Sequence, residues 1–200
     1  MLKKVIIVVG VLLISLPYVG QEKKATYGFS FGINKTKLEH NLKNSLSNDS
    51  RVGFRLGVLA DLPLVKGLYF TPKAELSFYR SSLEYTEPGK FNRDYVVLPT
   101  GLEGRLHLIY KFREGKELKP FILGGASYIL ALNGELETFE YSSGSTFTAD
   151  VGIGVERKFE HFIFAPEFRY SHGLTNVNEN PLFNGDIFLH NFAVVLVLKG

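Results

Sequence analysis

Apolar and polar side chains alternate in eight separate stretches between residues 26 and 198. A period of two marks an extended strand whose faces meet different surroundings. In the first stretch Tyr27, Phe29, Phe31 and Ile33 share a face against Gly28, Ser30, Gly32 and Asn34. The second sets Val52, Phe54, Leu56, Val58, Ala60 and Leu62 against Arg51, Gly53, Arg55, Gly57, Leu59 and Asp61. The third sets Phe70, Pro72, Ala74, Leu76 and Phe78 against Thr71, Lys73, Glu75, Ser77 and Tyr79. The fourth, read over 94–112, places Leu98, Leu102, Leu106, Leu108, Tyr110 and Phe112 opposite Gly101, Glu103, Arg105, His107 and Lys111. The sixth opposes Phe147, Ala149, Val151, Ile153 and Val155 to Thr148, Asp150, Gly152, Gly154 and Glu156. The seventh opposes Phe162, Phe164, Pro166, Phe168 and Tyr170 to Glu167, Arg169 and Ser171. The fifth (120–132) is apolar on both faces, and the eighth sets Phe192, Val194, Leu196 and Leu198 against Asn191, Ala193, Val195 and Val197.

The intervening gaps are 36–50, 63–67, 82–93, 113–119, 133–145, 158–161 and 173–186, or 15, 5, 12, 7, 13, 4 and 14 residues. Long and short gaps alternate, as they do where strands run up and down through an outer membrane with long outer loops and short periplasmic turns. The gaps are rich in turn formers, notably 41–50, 142–145 and 175–185. Pro72 and Pro166 each remove a ladder hydrogen bond, so a bulge or a strand end is expected there.

The pattern predicts an all-β protein, an eight-stranded antiparallel up-and-down transmembrane β-barrel. A soluble calyx has the same alternation turned inside out. Three features favour lipid outside. An apolar run at 5–16 follows a basic start at 1–4, which reads as a signal peptide over 1–20 with a barrel domain over 21–200. The gaps alternate in length. The face opposite the apolar one carries charges of both signs, which fill a narrow lumen. Tyr27, Tyr95, Tyr110, Phe112, Phe147, Phe162 and Tyr170 lie near strand ends, as interfacial girdles do.

Charge and composition remove several classes. Taking Lys3 and Lys4 from the 23 basic residues leaves 21 against 20 acidic, so the basic pI of 8.9 is no argument for a nucleic-acid partner. There is no cysteine, hence no disulfide and no thiolate metal site. No stretch after the apolar start is long enough for a membrane helix.

The candidate chemistry lies on the presumed inner face: Arg55, Glu75, Glu103, Arg105, Glu167 and Arg169, with Asp150 and Glu156 nearby. An eight-stranded barrel has room inside for side chains only, so these charges are expected to pair as a structural plug. A polar pore or proton path is the other reading. Some eight-stranded outer-membrane barrels modify lipid A with a Ser/His pair. Ser171 and His172 are adjacent, so they face opposite sides and make no dyad. His190 is placed to approach the seventh or the first strand, while His40, His107 and His161 are read as isolated. Glu135, Glu137 and Glu140 are read as solvated loop acids rather than calcium ligands. No catalytic, cofactor-binding or metal-binding residue is assigned, and no enzymatic activity is expected.

Three segments, GFRLGV at 53–58, KPFILGG at 119–125 and above all EFRYSHGLTN at 167–176, resemble the PorT-type outer-membrane β-barrel family of Bacteroidetes. The likeness spans nearly all of 21–200. It implies an eight-stranded barrel in a bacterial outer membrane and, through the founding member, a link to type IX protein secretion and gliding. Most relatives have no assigned activity, so no residue role carries over. The expected partners are outer-membrane lipid and envelope or secretion-system proteins. The chain departs from the usual aromatic C-terminal signal of barrel assembly by ending LVLKG at 196–200.

Overall fold

The computed structural model describes residues 24–41, 45–50, 52–79, 81–85, 93–112, 117–132, 144–179 and 185–200. The signal-peptide reading of 1–20 and the loop acids Glu135, Glu137 and Glu140 lie outside them. The barrel strands are β1 (Thr26–His40), β3 (Val52–Val65), β4 (Leu68–Phe78), β7 (Thr100–Lys111), β8 (Leu118–Ala131), β9 (Thr146–Lys158), β10 (Ile163–Gly173) and β11 (Ile187–Lys199). Each pairs antiparallel with its neighbours, and β1 closes on β11 to complete the barrel. Closure leaves no free edge, so every barrel strand finds backbone partners on both sides without water, as a bilayer demands.

Short connections lie at one end. One is the two-residue turn at Lys66 and Gly67, where Gly67 takes a φ of 80°. A tight hairpin turn needs such a positive φ, and glycine supplies it without a Cβ clash. The strand ends joined by the longer connections lie at the opposite end, the outer one in barrels of this kind.

Three further strands extend the outer end: β2 (Ser45–Ser50), β5 (Ser81–Tyr85) and β6 (Arg93–Val97), in the order β2-β5-β6. The sequence reading is corrected here. Residues 36–40, 45–50, 63–65 and 82–85, read as gap, are strand. The fourth stretch is two strands, broken at Leu98 and Pro99. Tyr95 belongs to the outer sheet rather than to a barrel strand. The ladder of β4 with β7 ends at the pair Phe78 and Thr100, and that of β5 with β6 starts at Ser81 and Val97, in the same register. The break occurs because Leu98 takes a φ of 51°, which reverses the alternation. Val97 and Leu98 are therefore both fully buried, and Leu98 leaves the lipid-facing row in which its spacing had placed it.

The lipid-facing rows are otherwise as the alternation predicts, with Phe29, Phe31, Val58, Leu106, Ile153 and Phe168 among the exposed large apolar side chains. Aromatic pairs mark both rims. Phe159 stacks on Phe162 at 4.8 Å on the short-turn end, and Phe54 stacks on Phe78 at 4.4 Å on the outer end. Pro72 and Pro166 cause no bulge, whereas the β3–β4 ladder shifts register between Pro63 and Val65. Pro72 pairs with Leu106 of β7, while the β3 ladder lapses between Leu59↔Lys73 and Leu62↔Phe70 and resumes in register. Pro166 pairs with Leu196 of β11, and the β9 ladder lapses and resumes likewise. Each proline thus interrupts one side only.

Candidate functional site

Alternation turns the polar face of β3, β4, β7, β9 and β10 into the lumen, and the charged side chains meet there. Arg105 is the hub. Its guanidinium contacts Glu103, lies 3.0 Å from Glu75, and reaches Asp150 at 2.6 Å. It also donates to Ser127 at 3.1 Å and to Ser171 at 3.2 Å. Arg55 donates to Glu75 at 3.1 Å and to the side-chain amide oxygen Oδ1 of Asn191 at 2.7 Å. Arg169 bridges Glu75 at 2.6 Å and Glu167 at 3.0 Å. All six charged residues singled out from the sequence are buried here, and each touches another of the set.

The structure adds partners that sequence reasoning did not single out. Lys73 donates to Glu167 at 2.8 Å, His107 Nε2 sits 2.9 Å from Asp150, and the Tyr79 hydroxyl donates to Glu103. With Lys73 and Asp150 included, the four cations Arg55, Lys73, Arg105 and Arg169 balance the four carboxylates Glu75, Glu103, Asp150 and Glu167. Balance matters because an unpaired charge in so dry a place costs several kcal/mol. Room for these long side chains comes from glycines. A Cβ on Gly57 would lie 2.7 Å from Glu75 Cγ, and one on Gly125 would lie 2.9 Å from His107 Cδ2.

A second cluster sits near the short-turn end. Lys111 and Lys199 both contact Asp61 and Glu156, at 2.7 to 2.8 Å. Thr71 donates to Asp61 at 2.9 Å, and Lys111 lies over the Tyr69 ring at 3.8 Å. Its members share the inner face with the residues first chosen, so alternation alone was enough to find Asp61 and Lys111. Lys199 was missed because the last strand runs one residue further than its pattern shows.

Apolar side chains separate and seal these clusters. Leu59, Ile109, Phe121, Leu123, Ala165, Ala193, Val195 and Val197 pack together inside the barrel. This explains why the fifth stretch reads as apolar on both faces: β8, together with β11, brings the dry side of the lumen. A cavity of about 10 Å³, lined by Asp61, Lys73, Ile109, Phe121, Glu167 and Lys199, lies between the two ion clusters and has room for about one water. At the outer mouth Leu38, Tyr79, Val97, Leu98, Ile129, Val177, Ile187 and Leu189 form an apolar cap. Val177 is drawn over the mouth by backbone bonds from Gly144 and to Ile187, at 2.8 and 2.9 Å.

Of the histidines, only His107 joins the lumen. Ser171 points inward to Arg105, while His172 faces out and packs beside His190, ring centroids 4.5 Å apart and planes tilted by 32°. His190 reaches both neighbours, with Tyr170 on β10 and Glu39 on β1, the latter 3.2 Å from its Nε2.

A closed eight-stranded barrel with an apolar belt outside and paired ions inside agrees with the comparisons to known proteins. Residues 19–179 match the family model described as outer membrane protein beta-barrel domain. The chain belongs to this family. It is a bacterial outer-membrane β-barrel, so its apolar belt faces lipid. No curated protein matches the sequence. Among solved structures it is similar to the outer membrane protein OprG from Pseudomonas aeruginosa. The TM-score is 0.57 and the identity 11%, covering 88% of this chain and 94% of that one. It is also similar to Neisserial surface protein A, with a TM-score of 0.51, 14% identity, and coverage of 88% and 98%. The outer membrane enzyme PagL matches with a TM-score of 0.50, 14% identity, and coverage of 87% and 98%. At such identities these likenesses are ones of fold.

Proposed function

We propose that the protein is a non-enzymatic, non-conducting barrel that holds its long outer loops and the β2-β5-β6 sheet at the cell surface for structural or interaction purposes. The observation that carries this reading is the filled lumen: one ion cluster in the middle of the barrel, a second near the short-turn end, apolar packing between them and an apolar cap above. Filling at these levels supports a barrel without a solute path. Ser171 and His172 on opposite faces support a role without acyl-transfer chemistry. Purified full-length barrel in planar bilayers is expected to show no stable conductance step. A reproducible open level would replace this reading by that of a narrow pore. Unchanged lipid A on expression is the matching expectation for chemistry, and a mass change would overturn it.

A finer reading is membership of the PorT-type group and a part in type IX protein secretion. The segment EFRYSHGLTN at 167–176 supports it, together with the outer sheet as a docking element. It predicts that the full chain co-purifies with other envelope proteins from mild detergent. Recovery as a lone barrel would count against it.

A further inference from the structure

The lipid-facing surface is not uniform. Over β1, β11, β10 and β9 it dips into a groove of about 550 Å³, lined by Ile33, Val194, Phe168, Ile153, Phe192 and Val151. That volume is in the range of small-molecule sites, roughly 300–1,000 Å³. The strand registers show what lies at its two ends. Toward the membrane centre the rows are apolar, with Phe31 beside Leu196 and Leu196 beside Pro166. Toward the outer rim the next row is Lys35, Phe192, Tyr170 and Val151, and Lys35 and Tyr170 belong to the groove wall. One row higher, Lys37 pairs with His190, which packs against His172.

The groove is therefore apolar at depth and cationic at its outer lip. Lys35 and Lys37 both point outward and are exposed. The neighbouring acid on that face, Glu39, is 3.2 Å from His190 Nε2. Tyr170 stands at the lip with its hydroxyl 3.3 Å from His172 Nδ1. Lysines at this depth lay their stems along the apolar wall and lift their ammonium groups into the headgroup layer. Basic side chains there attract anionic headgroups.

We propose that this groove is a seat for one phosphorylated glycolipid of the outer leaflet, with an acyl chain along the Ile33, Phe168 and Val194 walls and a phosphate against Lys35 and Lys37. The leaflet follows from the lip being at the long-loop end, and the phosphate from the charge of the lip. The inference goes beyond the proposed function and does not depend on the filled lumen.

Native mass spectrometry of the full chain released from detergent micelles tests it. The probes are bis-phosphorylated lipid A, the same lipid without phosphates, and phosphatidylglycerol. The bis-phosphorylated lipid is expected to be retained in preference to the other two. Lys35→Gln with Lys37→Gln is expected to weaken its binding about tenfold or more. Val194→Trp, which fills the groove without touching a charge, is expected to weaken it as well. Both variants are checked for an unchanged heat-dependent gel shift, and the lysine pair, being exposed, serves if the tryptophan variant does not fold. Equal retention of the phosphate-free lipid or of phosphatidylglycerol overturns the proposal. So does unaltered binding in the folded double-lysine variant.

Discussion

Arg105→Met removes one guanidinium from the lumen and keeps most of the stem. The guanidinium lost contacts Glu103, Glu75 at 3.0 Å and Asp150 at 2.6 Å, and it donates to Ser127 and Ser171. Arg55 and Arg169 still hold Glu75, but Asp150 and Glu103 lose their main cation, and the cluster carries one uncompensated negative charge. Breaking a buried pair on one side costs about 3–5 kcal/mol. With a urea slope of roughly 2 kcal/mol per M, in the range for small proteins, the unfolding midpoint should fall by roughly 2 M. The assay is urea titration of the full chain in lipid vesicles, with the folded fraction read from its mobility on an unheated gel. Adding Glu103→Gln removes one charge of each sign and should recover part of the loss, with a coupling of at least about 1 kcal/mol. A single variant within about 0.5 kcal/mol of the parent would refute the dry plug. The lumen charges would then be solvated, and conductance would become the expectation.

Other substitutions probe the remaining layers in the same titration. Phe121→Ala, inside the apolar girdle between the ion clusters, should cost about 3–5 kcal/mol, and less than 1 kcal/mol would mean the girdle is loosely packed. Gly125→Val should cost about 1–3 kcal/mol or more because its Cβ would collide with the Leu106 carbonyl oxygen and lie 2.9 Å from His107 Cα. A neutral result would show that the β7 backbone there has room to move. Leu106→Arg places a charge on the exposed apolar belt and should cost about 2–4 kcal/mol near the midplane, and a change below about 0.5 kcal/mol would mean that this row does not face lipid. Lys119→Met removes a partly exposed cation 3.7 Å from Glu156 and should change stability by less than about 1 kcal/mol.

Several features were legible because strand periodicity is strict. Successive side chains face opposite ways, so once Arg55, Glu75, Glu103, Arg105, Glu167 and Arg169 were aligned with the polar positions, their shared interior followed. The same logic separated Ser171 from His172. It failed where the backbone breaks the period. Leu98 at φ 51° ends one ladder and starts another, and nothing in its spacing announces that. Short polar strands such as 45–50 carry no apolar row, because the outer sheet sits beyond the lipid, and they read as loop.

The amino-acid order by itself determined the number of barrel strands and the face of most side chains in them, because alternation is local. It also determined that charges of both signs would line the interior. Which charge meets which was decided only in three dimensions. Asp61, Lys111, Glu156 and Lys199 come from four different strands and converge because the barrel closes β1 onto β11. The groove under Lys35 and the cap of Leu98 and Val177 likewise exist only once strands far apart in the chain are side by side. A period of two says which way a side chain points, but closure sets how far it is from the next one.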